Sequence, residues 1–139
     1  MVSKGESALG TKFRLGALQI RQNNQQNFGS VMATENQTII NIQLPSGQTM
    51  RSGNNSATVT LNAGESYVFS SEDSSSPGYG IIGTLIESDK PIVVSCGSAT
   101  GSFAVGSNSG GQDYGIDQIV GADKVGSEYI FVKGEGGDS

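Results

Sequence analysis

Apolar and polar residues alternate over short runs along most of the chain, and the runs are separated by Gly, Pro, Asn and Ser. A period of two is the mark of a half-buried strand, whose successive side chains point to opposite faces. On that basis strands are predicted in 12-KFRLGALQI-20 and, after the polar tract 21-RQNNQQN-27, in 28-FGSVMATE-35. Another is predicted in 38-TIINIQL-44, which stops where 45-PSG-47 supplies turn chemistry. Two hairpins are expected next. One joins 57-ATVTL-61 to 66-SYVFS-70 through 62-NAGE-65, with Gly64 at the position that needs positive φ. The other joins 81-IIGTLIE-87 to 92-IVVSC-96 through 88-SDKP-91. A last strand-like run is 128-EYIFVK-133. Two long connections, 71-SEDSSSPGYG-80 and 97-GSATGSFAVGSNSGGQD-113, are rich in Ser and Gly, and the second is the least constrained part of the chain.

Helical periodicity is confined to 113-DYGIDQIVGADKVG-126, where Ile116, Ile119 and Val120 fall at i, i+3 and i+4. Gly115 and Gly121 flank them, which leaves room for one short helical turn at most. Short strands separated by Gly or Pro turns, with no long crossover helices, predict an all-β fold. The expectation is a single antiparallel domain of β-sandwich or jelly-roll type.

Composition narrows the function classes. The 139 residues are enough for one domain with a real core. Charged residues make up 15%, below the roughly 25% usual for soluble domains, so surface polarity falls to Ser, Thr, Asn, Gln and 21 glycines. That style suits secreted and surface β-proteins. A net charge of −5 opposes a nucleic-acid partner and adhesion to anionic lipid. No run approaches the ~20 apolar residues of a membrane-inserted helix. The start, 1-MVSKGES-7, lacks the apolar core of a signal peptide, so either the protein is cytosolic or an exported parent protein carries its signal outside this chain.

The chain has no histidine, which removes the commonest general base and the commonest transition-metal ligand. Its one cysteine, Cys96, can form no internal disulfide and reads as a small core residue within 91-PIVVSC-96. The acids Glu35, Glu87, Asp113 and Asp117 stand at no defined separation, so no catalytic residue is assigned and no enzyme is expected. No cofactor and no metal ligand is assigned. Calcium is the ion the composition suits best, through oxygen donors in 72-EDSSS-76 and 106-GSNSGGQDYGID-117, although neither has a fixed Asp spacing. The segment 106-GSNSGG-111 lacks the lysine and the strand–helix context of a phosphate loop.

Two tyrosines, Tyr79 and Tyr114, sit in Gly-rich loops, the second beside Asp113, Asp117 and Gln118. Aromatic rings next to Asp, Asn and Gln form the composition of a sugar-binding face, and these five residues are the candidate ligand site. The alternative is that both rings cover the ends of the sandwich. In 88-SDKP-91, Pro91 belongs at a strand start or sheet edge, Asp89 is suited to close an Asx turn, and Lys90 reads as a solvated charge.

The opening 10-GTKFRLGAL-18 is echoed 116 residues later by 126-GSEYIFVKG-134. The preceding residues match as well, 4-KGESALG-10 against 120-VGADKVG-126. The expectation is one repeat module over 1–125, followed in 126–139 by the opening strand of the next repeat or by the closing strand of this domain. Glu128, Tyr129, Ile130, Phe131 and Val132 would form that strand, which could complete the sheet of a neighbouring copy.

Four motifs in order, 32-MATENQTIINI-42, 58-TVTLNAGESYVFSS-71, 83-GTLIESDKPIVVSCGS-98 and 112-QDYGIDQIVGADKVGSEYIFV-132, resemble the domain named for the N-terminal region of the IgG-Fc-binding protein. The opening 3-SKGESALGTKFRLG-16 fits the same pattern, and the last motif is most similar to the branch in large Bacteroidetes surface proteins exported by type IX secretion. The resemblance implies repeated β-modules in extracellular, cell-surface or adhesive proteins. It does not carry Fc binding to this chain, because Ile116-Asp117 stands where animal members tend to have a Cys-Asp-His cluster. Asp117 and Gln118 match the family's closing segment.

The function expected is that of a non-catalytic, extracellular or cell-surface module of a tandem-repeat protein, serving adhesion or scaffolding. The alternatives are a carbohydrate-binding module and a self-assembling filament subunit. The partners expected are neighbouring repeats or copies of itself, with a glycan or a host or surface protein as ligand.

Overall fold

The computed structural model describes residues 4–18, 20, 26–71, 80–101 and 113–126, which form seven strands and two 3₁₀ turns. The strands are β1 (Gly10–Arg14), β2 (Asn27–Ala33), β3 (Thr38–Gln43), β4 (Ser56–Leu61), β5 (Ser66–Ser70), β6 (Leu85–Gly101) and β7 (Asp113–Ile119). A leading 3₁₀ turn spans Gly5–Ala8 and a trailing one Ala122–Lys124. Every strand pairing is antiparallel, so the fold is a single all-β domain. The trailing turn falls within 113–126 but beyond Gly121, past the Ile116, Ile119 and Val120 spacing that suggested one; the leading turn is a second.

The architecture hangs on β6, whose 17 residues run unbroken through 88-SDKP-91. The hairpin expected there does not form. Leu85, Ile86 and Glu87 pair with β1 on one flank and β3 on the other, and residues 94–98 pair with β7 and β2 in the same way. Ile92 meets Gly10 of β1 and Ala33 of β2, so β7 and β1 share one flank of β6 while β2 and β3 share the other. Residues 89–91 have no partner in any of these ladders. Pro91, which has no N–H to donate, therefore sits where none is required. Its signal marks a break in pairing, not a reversal of the chain.

The second expected hairpin is also replaced. The turn 62–65 forms with Gly64 at φ +83°, but β4 pairs with β3, and β5 pairs with β2. The sheet thus has two four-stranded halves, β4-β3-β6-β1 and β5-β2-β6-β7, with β6 passing from one to the other at its unpaired residues. Strands that switch between packed sheets in this way are how sandwich corners are made.

Alternation decides which side chains face the core. In β2 residues 27, 29, 31 and 33 are buried, and in β3 residues 38, 40 and 42. Phe13, Ile40, Ile42 and Ile86 from one half join Val31, Phe69, Ile92, Val94 and Cys96 from the other in a single cluster. The strand expected over 12–20 ends at Arg14; Leu15 leaves the ladder and enters this core. Residues 113–119, including Ile116 and Ile119, are strand and not helix.

Candidate functional site

Cross-strand register brings four strand ends together. Asn27 at the start of β2 is opposite Ser98 of β6, Phe28 is opposite Ser70 at the end of β5, and Gly101 at the end of β6 is opposite Asp113 at the start of β7. The connections 21–25, 72–79 and 102–112 all attach at this one end. Binding surfaces are often built where loops leave a rigid scaffold.

Asn27 is the hub of that end. It is fully buried, and its Nδ2 donates to the carbonyl oxygen of Leu18 at 2.7 Å and to Ser98 Oγ at 3.0 Å. Its backbone exchanges bonds with Ser71: the Ser71 N–H donates to the Asn27 carbonyl at 3.0 Å, and the Asn27 N–H to Ser71 Oγ at 3.2 Å. Gly80, at φ +53°, lies so close to the Asn27 amide oxygen that a Cβ there would overlap it. That oxygen is buried without a hydrogen-bond partner. Polarity at the root of the loops therefore serves to bolt strand ends together. Sequence reasoning placed Asn27 in a polar tract and missed it; its immediate precedence of an alternating run was the available signal.

Tyr114 projects from the first residues of β7 and is 86% exposed. Ile116, two residues on along the same face, is exposed as well. It stands opposite Gly97, and Gly97 stands opposite the half-buried Phe28. A Cβ on Gly97 would fall 2.8 Å from the Phe28 ring, so the bare glycine allows that ring to lie across β6. The outcome is an apolar strip of Tyr114, Ile116 and Phe28 adjoining the loop end. It was legible in part: 27-NFGSVMA-33 carries apolar residues at both parities, as a two-sided strand does.

The other candidates divide. Asp117 and Gln118 lie farther along β7, where the N-terminal segment grips them. Lys4 Nζ contacts Asp117 Oδ2 at 2.5 Å and also donates to the Gln118 carbonyl oxygen. The Lys4 N–H donates to Gln118 Oε1 at 2.6 Å, and Gln118 Nε2 donates to the Gly5 carbonyl at 3.4 Å. Gln118 is buried by these contacts. Asp113 begins β7 at the loop end, while Tyr79 lies outside the described residues, as do Glu128, Tyr129, Ile130, Phe131 and Val132. The oxygen-rich 72–76 and most of 106–117 lie outside them too. Among the described residues no three acids or cysteines gather as metal ligands.

Of the other acids, Glu87 pairs with Lys12 at 2.8 Å. Asp89 closes no turn of its own: its Oδ1 accepts the Ile39 N–H at 2.8 Å. Lys90 is not simply solvated, since its Nζ donates to the carbonyls of Asn36 and Gln37. Cys96 is buried and unpaired, and burial pushes its thiol pKa up, with the Asp117 carboxylate adding to the rise and a backbone bond at Gly16 and the Lys4 charge opposing it.

Fold and site together define an antiparallel all-β module in which four strand ends meet at one end, with an exposed aromatic beside them. The family model described as IgGFc binding protein matches residues 1–139, and the chain belongs to that family. Searches of the curated proteins and of the solved structures give no significant match. No helix among the described residues is long and apolar enough to cross a membrane.

Proposed function

We propose that the chain is a non-catalytic, extracellular module of a tandem-repeat surface protein, of the kind exported by type IX secretion, and that it acts in adhesion through its loop end. The observation that carries this reading is the 86% exposure of Tyr114 at the strand end from which three polar connections depart. A flat ring held by a rigid strand offers stacking area at little cost in conformational freedom, the chemistry that suits a glycan or a polar protein surface. One such ring gives weak binding, and arrays of modules would raise it by avidity. The test is retention on glycan- and mucin-coated surfaces of the chain displayed as a tetramer. Tyr114→Ala should reduce retention at least tenfold with the melting temperature unchanged; retention that ignores the substitution would overturn the reading.

Strand addition between copies is a second reading, favoured by the outer side of β5. Among the described residues it is met only near its end, by the Arg51 N–H donating to the Ser70 carbonyl and the Met50–Ser71 bridge. Beside it lies a groove of about 310 Å³ floored by Met50, Tyr67 and Phe69. Light scattering on the full chain and on one ended before Gly126 checks this: only the full chain should associate as concentration rises.

A further inference from the structure

The two 3₁₀ turns echo one another in sequence and in the way the chain leaves them. The leading turn Gly5–Ala8 is followed by an extended Leu9 (φ −63°, ψ 145°) and then Gly10. The trailing turn Ala122–Lys124 is followed by an extended Val125 (φ −76°, ψ 136°) and then Gly126. The frames 4-KGESALG-10 and 120-VGADKVG-126 thus share a 3₁₀ turn, the exit conformation and the glycine that begins a β1-like sequence, but they differ at entry: Gly5 lies inside its four-residue turn at φ +61°, whereas Gly121 precedes its three-residue turn at φ −59° and ψ 149°.

The turns are held from different sides. The leading turn is clasped by β7, because Gln118 binds the backbone N–H of Lys4 and the carbonyl of Gly5. The trailing turn rests on β1, where a Cβ on Gly10 would fall 2.9 Å from the Gly121 Cα and 3.1 Å from Asp123 Oδ1. A clasp on backbone atoms does not depend on the side chain, so the Val120 N–H and the Gly121 carbonyl could meet the same glutamine once Gly121 turns to the left-handed conformation of Gly5, which glycine adopts at little cost. Val125 supplies the further sign. It is 55% exposed, whereas its counterpart Leu9 is partly covered within this module.

We propose that the trailing turn is a shared joint: in a tandem array it rests on β1 of its own module and is clasped by the Gln118 counterpart of a following copy, which also covers Val125. This rests on the tandem reading above. Domains joined by a flexible linker move independently by default, whereas units sharing an interface unfold together. Lys124 stands where the fully buried Ala8 stands in the leading turn, so the pocket of the following copy receives a lysine stem, and Lys124→Ala should tighten the joint.

The test is a two-module chain in which residues 1–125 continue directly into residues 10–139, compared with one in which eight Gly and Ser residues and then residues 4–139 follow Val125. Spin labels on Thr58 of each module report the distance between modules, and calorimetry reports unfolding. The direct fusion should give one narrow distance and one unfolding transition, and the spaced chain a broad distribution. Gln118→Ala in the second module alone should broaden the direct fusion; in the first module alone it should not. Equal distributions in the two chains, or separate transitions in the direct fusion, would overturn the joint. Tyr114-dependent retention, read on the single chain, stands or falls independently of that result.

Discussion

At the scale of single residues, the sheet is specified by what cannot be added to it as much as by what is buried. A methyl group on Gly97 would overlap the carbonyl oxygen of Gly115 in the neighbouring β7, a backbone atom that has no alternative rotamer. Gly97→Ala should therefore cost about 3 kcal/mol in denaturant unfolding by prying β7 from β6. Gly64→Ala meets no atom within 4 Å and bears only the strain of φ +83°, which is about 1 kcal/mol. Equal losses at the two sites would show that β7 yields more readily than its ladder implies.

Cys96 gives a pH signature at the same scale. Its folded-state pKa is raised, chiefly by burial, so the thiol stays protonated in the folded chain at pH values where the unfolded chain ionises. The stability this contributes is complete below the unfolded thiol's pKa and is lost as pH climbs from about 8.5 towards the folded value. Stability measured across that alkaline range should fall more steeply for the native chain than for Cys96→Ala. Parallel curves would mean that the thiol is not desolvated.

At the scale of elements, the middle of β6 organises the chain reversal between β2 and β3. Asp89 Oδ1 holds the Ile39 N–H, Lys90 holds two carbonyls of residues 36 and 37, and the Pro91 carbonyl accepts from Thr34 Oγ1 at 2.5 Å. Three consecutive residues without ladder partners thus spend their polar groups on the adjoining turn. Asp89→Ala should speed hydrogen exchange at Ile39 by at least tenfold while leaving residues 92–98 protected. An acceleration spread evenly over β3, or no change at Ile39, would refute that local role. This stretch also shows what the sequence could and could not reveal. Alternation located β2, β3, β4 and β5 within a few residues, because period and burial are local properties. Pairing is not local: Pro91 and Gly64 each marked a real interruption, but nothing near 88–91 or 62–65 states whether the next strand returns to its predecessor or continues along a third. The same limit applies to the site. Tyr114 was expected in a Gly-rich loop and instead stands exposed on β7, a strand its neighbouring glycines conceal, and the capture of Gln118 depends on Lys4, more than 100 residues away in the chain.

At the scale of the whole molecule, β6 is the spine on which β1, β2, β3 and β7 all pair, so the domain should not divide. Opening the chain between Ser71 and Gly80 would leave a piece of residues 1–71 holding β1–β5 and a piece of residues 80–139 holding β6 and β7. In the first piece only the β2–β5 and β3–β4 pairs survive, and two-stranded ribbons are marginal in water. Phe13, Val31, Ile40 and Ile42 would lose Ile86, Ile92 and Val94 from their cluster. Each piece alone should therefore show the circular dichroism of an unfolded chain, and mixing them should restore strand signal and a cooperative melt. Because the pairings of β1, β2 and β3 with β6 all close long loops, as in Gly10 against Ile92, folding of the intact chain should take milliseconds to seconds. A cooperative melt from residues 1–71 alone would show that the half built on β3 and β4 carries its own core, and that β6 is an addition to the fold instead of its centre.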